Sequence, residues 1–270
     1  MTVKLAEVNP DTALRPLGTP QCFSDPRGRG LVFYHASGAL AGTLPEERVL
    51  WLWQRFNGTL WSAFVEEMCL MFHRYAFTRL KDSDRLPEGE LRDARREVHA
   101  LIGSTTERFT CPFSVHEDVT AFSTGFEADG AFGAQHDAFS CQWRGASVAC
   151  PPKDGVTPLK AVRWAISSAG SPTAPVATIL IVPAADASIR SPANGRGILD
   201  HPMVHNIGHG AQGKLRPGAV RLLLVGNVAG FALLLYRQGP AVPVLRQEGV
   251  IPRPLAPVGL LQRHAAVQHG

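Results

Sequence analysis

The feature that most constrains the fold is a short apolar run that stops at two consecutive prolines. Residues 146–150 are small and apolar, as expected of a strand that is buried on both faces. Pro151 and Pro152 end this strand, because proline lacks the N–H that a β-ladder needs. A helical apolar period follows over residues 159–169, and residues 178–182 form a second uninterrupted apolar run. This order of strand, loop, helix and strand predicts a βαβ unit of a parallel sheet. We expect Phe109, residues 146–149 and residues 179–182 to be buried residues of central strands.

The loop that follows the first of these strands is a candidate site. Ligands of parallel sheets bind outside the carboxyl ends of the strands, where Cys150, Pro151, Pro152 and Lys153 are expected to lie. A rigid loop at this position can hold catalytic groups in a fixed geometry. A pair of prolines also ends strands for purely structural reasons, and the loop by itself is compatible with both interpretations.

Composition restricts the class of protein. Apolar residues make up 45% of the chain and charged residues 19%, which is typical of a globular protein and not of a disordered one. A length of 270 residues accommodates one large α/β domain, with or without a small extension. The net charge of +4 permits a polyanionic partner without requiring one.

Cysteine usage and hydropathy bear on the cell compartment. The five cysteines are odd in number and form no C-x-x-C pair, so neither a disulfide framework nor a structural zinc site is predicted. The first residues lack the apolar region of a secretory signal, and no run approaches the roughly 20 apolar residues that a membrane-spanning helix needs. We therefore expect an intracellular protein, in the nucleus or the cytoplasm, that does not bind membranes.

Residues 1–103 are predicted to form an arm and a helical segment. Residues 1–44 are rich in glycine and proline and contain one strand-like run at 30–34. A helix start at 44–47 leads into a helical period over 49–80, which Asn57 and Gly58 break into two helices. The aromatic stripe of these helices is expected to be a buried face, with a base-stacking surface as the alternative.

Charged residues are interleaved between positions 72 and 96. Such a mixture is typical of the solvated face of helices. Arg92, Arg95 and Arg96 are also candidates for nucleic-acid binding through phosphate. A helix over 87–102 is expected to end at Gly103 as its C-cap.

The region after the βαβ unit is predicted to close the sheet. Two apolar runs at 220–225 and 231–236 are joined by Gly-Asn-Val-Ala-Gly, which predicts an antiparallel hairpin. The histidines within 201–209 lack partners at ligand spacing, so this segment is predicted to be a loop and not a metal site. The expected division is thus an arm and helical segment at 1–103, an α/β domain at 104–240, and a proline-rich irregular tail at 241–270.

Four motifs in order over residues 107–183 resemble one enzyme family. They are RFTCPFS, DGAFGAQ, DAFSCQWRGASVACPP and TILIVPA. Their order and approximate spacing are similar to those of the adenine-N6 methyltransferases of the cap-adenosine type, the phosphorylated-CTD-interacting-factor family, and more distantly to the phage Dam-like enzymes. The resemblance implies an α/β, Rossmann-like class I methyltransferase sheet. This sheet would be mainly parallel, end in an antiparallel hairpin and follow a helical segment.

The resemblance also implies a cofactor, a partner and the residues that bind them. The cofactor is S-adenosyl-L-methionine and the partner is nucleic acid, with RNA favoured over DNA. Asp129 would accept hydrogen bonds from the ribose hydroxyls, although Asp129-Gly130 is equally a turn signal. Arg144 or Lys153 would lie near phosphate. The other cofactor-binding residues would be Cys111, Pro112, Phe113 and Ser114.

The catalytic loop departs from the family pattern at two of its four positions. In the family, an asparagine oxygen and the first proline carbonyl accept the hydrogens of the adenine amine, and an aromatic residue stacks on the flipped base. Here Cys150 replaces the asparagine and Lys153 replaces the aromatic residue. A thiol is a weak acceptor, and loss of one oriented polar group typically costs ~10²–10³ in rate. We therefore expect an adenine-N6 methyltransferase-like protein with a degenerate loop; the alternative is a non-catalytic module that binds RNA, DNA or a protein partner.

Overall fold

A computed structural model describes two sheets and the helices that pack on them. The described residues are 18–28, 30–78, 95–96, 98–100, 102–104, 106–152, 154, 156–171, 174–183, 201–206 and 220–236. Arg92, Lys153 and residues 241–270 lie outside these ranges, so the predictions made for them stay predictions. Among the described residues, no helix is long and apolar enough to cross a bilayer.

A three-stranded antiparallel sheet precedes the helices. Strands β1 (Gln21–Ser24), β2 (Leu31–Tyr34) and β3 (Leu40–Leu44) pair in the order β1-β2-β3. Only β2 was predicted, because β1 is half-buried throughout and β3 is partly exposed, so neither shows an alternating apolar pattern. Gly30 is required where β2 begins: with φ 129°, a Cβ there would lie 2.0 Å from the Leu44 carbonyl oxygen.

The two predicted helices and the break between them are confirmed. Helix α1 (Glu46–Arg55) starts after Pro45 with two acids in its first turn, and α2 (Trp61–Thr78) follows the break. Their aromatic stripe packs against the small sheet and forms a core of its own. The largest fully buried side chains of this core are Phe33, Leu52, Phe64, Met68, Met71 and Phe132. The stripe is therefore a packing face and not a base-stacking surface.

The second sheet has seven strands in the order β6-β5-β4-β7-β8-β10-β9. Strands β4 to β8 are mutually parallel, and β10 is antiparallel to both of its neighbours. A mixed α/β fold with a mostly parallel sheet is thus confirmed. The strands are β4 (Thr106–Arg108), β5 (Ala121–Thr124), β6 (Gln135–His136), β7 (Gly145–Ala149), β8 (Val176–Pro183), β9 (Val204–Asn206) and β10 (Val220–Gly226).

The central strands β7, β8 and β10 are buried on both faces, as the sequence predicted for the first two. Helix α3 (Thr157–Ala169), which joins β7 to β8, covers the face that bears Ala149, Leu180 and Leu223. Helix α4 (Val228–Tyr236) contributes to the core on the opposite face, beside Val148 and Ile179. Successive residues of these strands point to opposite faces, so an uninterrupted apolar run is needed to fill both cores.

The predicted terminal hairpin is wrong, because its second run forms α4. Asn227 changes the outcome: its Oδ1 accepts the main-chain N–H groups of Gly230 at 2.8 Å and Val176 at 3.1 Å. This caps α4 and fastens it to β8. Gly230 allows the close approach, since a Cβ there would lie 1.9 Å from the Val176 carbonyl oxygen. The antiparallel strand β10 therefore pairs inside the sheet, between β8 and β9.

Two smaller predictions also need correction. Phe109 was expected to be a buried strand residue, but β4 ends at Arg108 and Phe109 lies half-buried in the loop beyond it. The segment 201–209 was expected to be a loop, but within its described part Val204–Asn206 forms the edge strand β9. Three residues are too few for a period of two to be recognised in a sequence.

Candidate functional site

The chain reverses its direction of travel across the large sheet between β4 and β7. From β4 it proceeds outward to β5 and β6, and it then returns to the other side of β4 to form β7 and β8. Glu107 and Arg108 pair with Val148 and Ala149, so β4 and β7 are direct neighbours. Open α/β sheets bind ligands outside the carboxyl ends of the strands at such a switch point. The candidate site therefore lies where β4 and β7 end.

The fold brings the predicted cofactor loop and the predicted catalytic loop to this switch point. Cys111, Pro112, Phe113 and Ser114 follow the end of β4, and Cys150, Pro151 and Pro152 follow the end of β7. The two strand ends are joined by a hydrogen bond from the Cys150 N–H to the Arg108 carbonyl oxygen at 3.3 Å. Pro151 is buried and Pro152 is exposed.

Phe109 adopts a strained backbone conformation at the start of the first loop. Its φ is 58°, in the left-handed region that a bulky residue rarely occupies. Its ring is held between Phe139, at a centroid distance of 5.1 Å, and Trp143, at 5.9 Å. Strain of this kind is concentrated at functional sites. Here it lies at the first residue beyond β4, and the next residue, Thr110, donates its N–H to the Ser123 carbonyl oxygen of β5 at 3.1 Å.

A buried cluster of charges lies beneath this loop, around Glu107. The Glu107 carboxylate lies 3.3 Å from Arg95 Nε and 3.7 Å from His99 Nε2, and it accepts the His116 N–H at 3.1 Å. Burial raises the pKa of Glu107, but these donors and charges outweigh it and hold the pKa below its ordinary value. The carboxylate thus stays ionised with no exposure to solvent.

Arg95 links this cluster to both candidate loops. Its Nη1 donates to Ser114 Oγ at 3.3 Å. Burial lowers the pKa of Arg95, but the neighbouring Cys150 and Glu107 side chains outweigh it and raise the pKa above its ordinary value. Ser114 Oγ lies 3.1 Å from Cys111 Sγ. Burial raises the pKa of the Cys111 thiol, and the Ser114 hydrogen bond and the Arg95 charge only partly offset it. The predicted nucleic-acid contact at Arg95 thus falls on a side chain that is 9% exposed and faces Glu107.

Asp129 is fully buried and held by α2. Tyr75 donates its hydroxyl to Oδ2 at 2.5 Å, and Arg74 donates to Oδ1 at 3.1 Å. Burial, and then the bond to Asp129, raise the pKa of Tyr75 well above its ordinary value. The Tyr75 ring also meets Phe113 at 5.6 Å. The structure therefore brings Asp129 and the loop after β4 together through Tyr75, and an acid held in this way is not a simple turn residue.

The other predicted phosphate contacts lie apart from one another. Arg144 is exposed but precedes β7, at the amino end of the strand, whereas Cys150 follows its carboxyl end. Six residue steps along a strand place them about 20 Å apart. Arg96 is exposed on the helical turn next to Arg95.

Arg108 is a buried cation at the switch point that sequence reasoning missed. It donates to Ser123 Oγ at 3.3 Å and Gln135 Oε1 at 3.4 Å, and its guanidinium lies 5.8 Å from the Trp143 ring centroid. No described carboxylate lies within ion-pairing distance of it, and burial lowers the pKa of Arg108. Glu107 and Arg108 could not be recognised from the sequence, because burial of two adjacent charges depends on partners supplied by distant segments.

No protein-family model matches this chain, and no curated protein matches it in sequence.

Proposed function

We propose that this protein binds S-adenosyl-L-methionine at the switch point and acts on nucleic acid as an adenine-N6 methyltransferase-like protein with a degenerate catalytic loop. RNA is favoured over DNA as its substrate. One observation carries the proposal: three motifs that are distant in sequence lie at the carboxyl edge of one sheet. They are the loop after β4, the acid after β5 and the proline pair after β7.

The order of the seven strands supports a Rossmann-like class I methyltransferase sheet. The first five strands of the large sheet, β4 to β8, follow the order of a doubly wound sheet that binds its cofactor at the switch point. The remaining pair adds an antiparallel strand inside the sheet and a parallel strand at its edge. The mainly parallel sheet agrees with the expected form, whereas the terminal hairpin expected with it is replaced by β10 and α4.

The residues after β4 and β5 have the chemistry to hold the cofactor. Each Asp129 oxygen accepts one side-chain hydrogen bond from the described residues, which leaves a lone pair on each for a ribose hydroxyl. Because Asp129 has no exposed surface, ribose binding requires Tyr75 to move from Oδ2. When bound, the cofactor supplies an electrophilic methyl group. The loop 111–114 would hold it beside Cys150 and Pro151.

The loop after β7 supplies only part of the acceptor set for adenine. The Pro151 carbonyl oxygen is the remaining acceptor for the amine hydrogens. The Cys150 thiol is a weak acceptor, and the Arg95 cation beside it opposes positive charge at the amine. Methyl transfer should therefore be slower than with an asparagine at this position, by about 10²–10³-fold.

Calorimetric titration with S-adenosylhomocysteine tests the cofactor site. We expect binding to the wild type, loss of binding in Asp129→Asn, and retained or tighter binding in Tyr75→Phe, which frees Oδ2. Glu127→Gln is the matched control, because Glu127 is an exposed acid in the same short helix, Glu127–Phe132. Absence of heat at millimolar ligand, with the wild type folded, would reject the site.

Methyl transfer to capped RNA and to DNA oligonucleotides tests the catalytic loop. The wild type is compared with the double variant Cys150→Asn plus Lys153→Phe, which restores the family pattern. We expect the double variant to be at least about a hundredfold faster, with RNA preferred. A wild type as fast as the double variant would contradict the degeneracy.

A non-catalytic module that binds RNA, DNA or a protein is the second candidate. The observation that favours it is the buried Arg95 cation beside Cys150, because a cation next to the acceptor position disfavours positive charge on a substrate amine. A double variant that binds S-adenosylhomocysteine yet transfers no methyl group would favour this candidate over the first.

A further inference from the structure

A groove on the outer side of α3 lies near the candidate site. It has a volume of about 430 Å³ and is lined by Val156, Leu159, Lys160, Arg163 and Trp164. Val156, at the start of the helix, is 70% exposed. Helix α3 begins seven residues after Cys150, at the carboxyl edge of the sheet, so the groove starts at the same edge as the two candidate loops.

Aromatic rings connect this groove to the switch point. Trp164 meets Phe139 edge-to-face at 5.8 Å, and Phe139 meets Phe109 in the same way at 5.1 Å. The Trp164 indole N–H donates to the Cys141 carbonyl oxygen at 3.0 Å. This bond fixes the half-buried ring at the surface, where it lines the groove together with Lys160 and Arg163. A fixed, half-exposed tryptophan is a suitable stacking platform for a nucleobase.

The groove carries positive charge that is not paired with an acidic side chain of the described residues. Lys160 lies 3.9 Å from the Phe139 ring centroid, and neither Lys160 nor Arg163 forms an ion pair with any described residue. Asp154 is engaged elsewhere, because it accepts the N–H groups of Val156 and Thr157 at the start of α3. The two cations are thus exposed and available to an anionic ligand.

We propose that this groove binds single-stranded nucleic acid, with a base against Trp164 and phosphates at Lys160 and Arg163. Single strands are bound by a combination of aromatic stacking and cationic contacts, and both are present here. An apolar protein segment would leave the two cations unpaired, so charge complementarity favours a polyanion. The inference rests on the proposed function, because it gives the path by which a substrate strand reaches the loop after β7.

The salt dependence of oligonucleotide binding tests the two phosphate contacts. Binding of a fluorescein-labelled single-stranded RNA to the full chain is followed by anisotropy at several salt concentrations. Lys160→Gln and Arg163→Gln should each weaken binding and reduce the slope of log K against log salt by about 0.7. Arg27→Gln, which removes an exposed arginine between β1 and β2, should leave the slope unchanged.

Trp164 variants test the stacking contact. Oligonucleotide binding should quench tryptophan fluorescence in the wild type, and Trp164→Ala should lose most of this quenching and bind about tenfold more weakly. Trp164→Phe keeps an aromatic face and should bind within about threefold of the wild type. Urea unfolding of each variant shows whether it is folded, and the Phe variant keeps the test decisive if the Ala variant is not.

Titration of the same variants with S-adenosylhomocysteine separates this inference from the proposed function. If Lys160→Gln and Arg163→Gln bind the cofactor and keep the wild-type salt slope for RNA binding, nucleic-acid binding at the groove is contradicted. The proposed function is then unaffected. A reduced slope in these variants, in a protein that binds no cofactor, would support the groove and reject the proposed function. A wild type that binds no oligonucleotide would contradict nucleic-acid binding at the groove and would favour a protein as its ligand.

Discussion

Two regions that carry cations lie near the same edge of the sheet, but the cations are buried in one region and exposed in the other. Around Glu107 the charges are buried, and Arg95 and His99 face the carboxylate. In the α3 groove, Lys160 and Arg163 are exposed and form no ion pair with a described residue. A buried charge needs a partner within the fold, whereas an exposed cation remains available to a ligand. The proposed recognition of nucleic acid is thus better served by the groove than by Arg95.

Removal of the buried carboxylate should have the largest effect on stability. Glu107→Ala leaves Arg95 buried without its counter-charge and should lower the free energy of unfolding by about 3–5 kcal/mol, as measured in urea. Glu66→Ala, at an exposed position of α2, should change it by less than about 0.5 kcal/mol. Equal effects of the two substitutions would show that the Glu107 cluster is not stabilised by its ion pairs.

Two tryptophans that donate to the same loop give the next comparison. Trp143 is fully buried and donates to the Ala138 carbonyl oxygen, whereas the half-buried Trp164 donates to that of Cys141. Trp143→Ala should cost about 3–5 kcal/mol of unfolding free energy, and Trp164→Ala about 1–2 kcal/mol. A larger loss at Trp164 than at Trp143 would show that Trp164 is retained for packing and not for binding.

Acid should weaken the buried cluster before it affects the groove. The pKa of Glu107 is below its ordinary value, so its contribution to stability is present above the unfolded-state pKa of about 4.3 and is lost as the pH falls through the folded-state value. The free energy of unfolding of the wild type, measured in urea, should decrease over this acid range. That of Glu107→Gln should decrease less. Parallel pH profiles for the two proteins would contradict this origin of the acid sensitivity.

The smallest effect is expected at the start of α3, beside the groove. Asp154 accepts the N–H groups of Val156 and Thr157 at 3.0 and 2.6 Å, so Asp154→Ala should cost about 1 kcal/mol in thermal or urea unfolding. Asp154→Asn keeps an acceptor oxygen and should stay within about 0.5 kcal/mol of the wild type. If Asn costs as much as Ala, the charge of Asp154 matters more than its hydrogen bonds.

The sequence predicted those parts of the fold in which local pattern and burial agree. The βαβ unit over β7, α3 and β8 and the pair α1 and α2 follow from apolar periods long enough to be distinctive. Residues 231–236 were predicted to form a strand but form a helix, because a short run of leucine and phenylalanine is compatible with either element. Asn227 decides for a helix through bonds to Gly230 and Val176, and the Val176 contact lies 51 positions away in the chain.

The candidate site was predictable only where it follows strand ends. The proline pair located the loop after β7, and the family resemblance implied the loop after β4; the carboxyl ends of parallel strands meet at one edge. The partners of Asp129 could not be predicted, because Tyr75 reaches it from 54 positions earlier. The groove did leave a signal in the sequence: Arg163 and Trp164 stand three and four residues after Lys160, the spacing of neighbours on one helix face.

The position of β10 has a consequence for the order in which the sheet can be completed during synthesis. Strand β10 is the last strand described, yet it lies between β8 and β9 and pairs with β8 along seven residues. Until residues 220–226 have left the ribosome, β8 keeps an open edge composed almost entirely of Val, Ala, Ile and Leu. An unpaired apolar edge of this length is a template for aggregation. A nascent chain that stalls before residue 220 is therefore expected to depend on chaperones for its solubility.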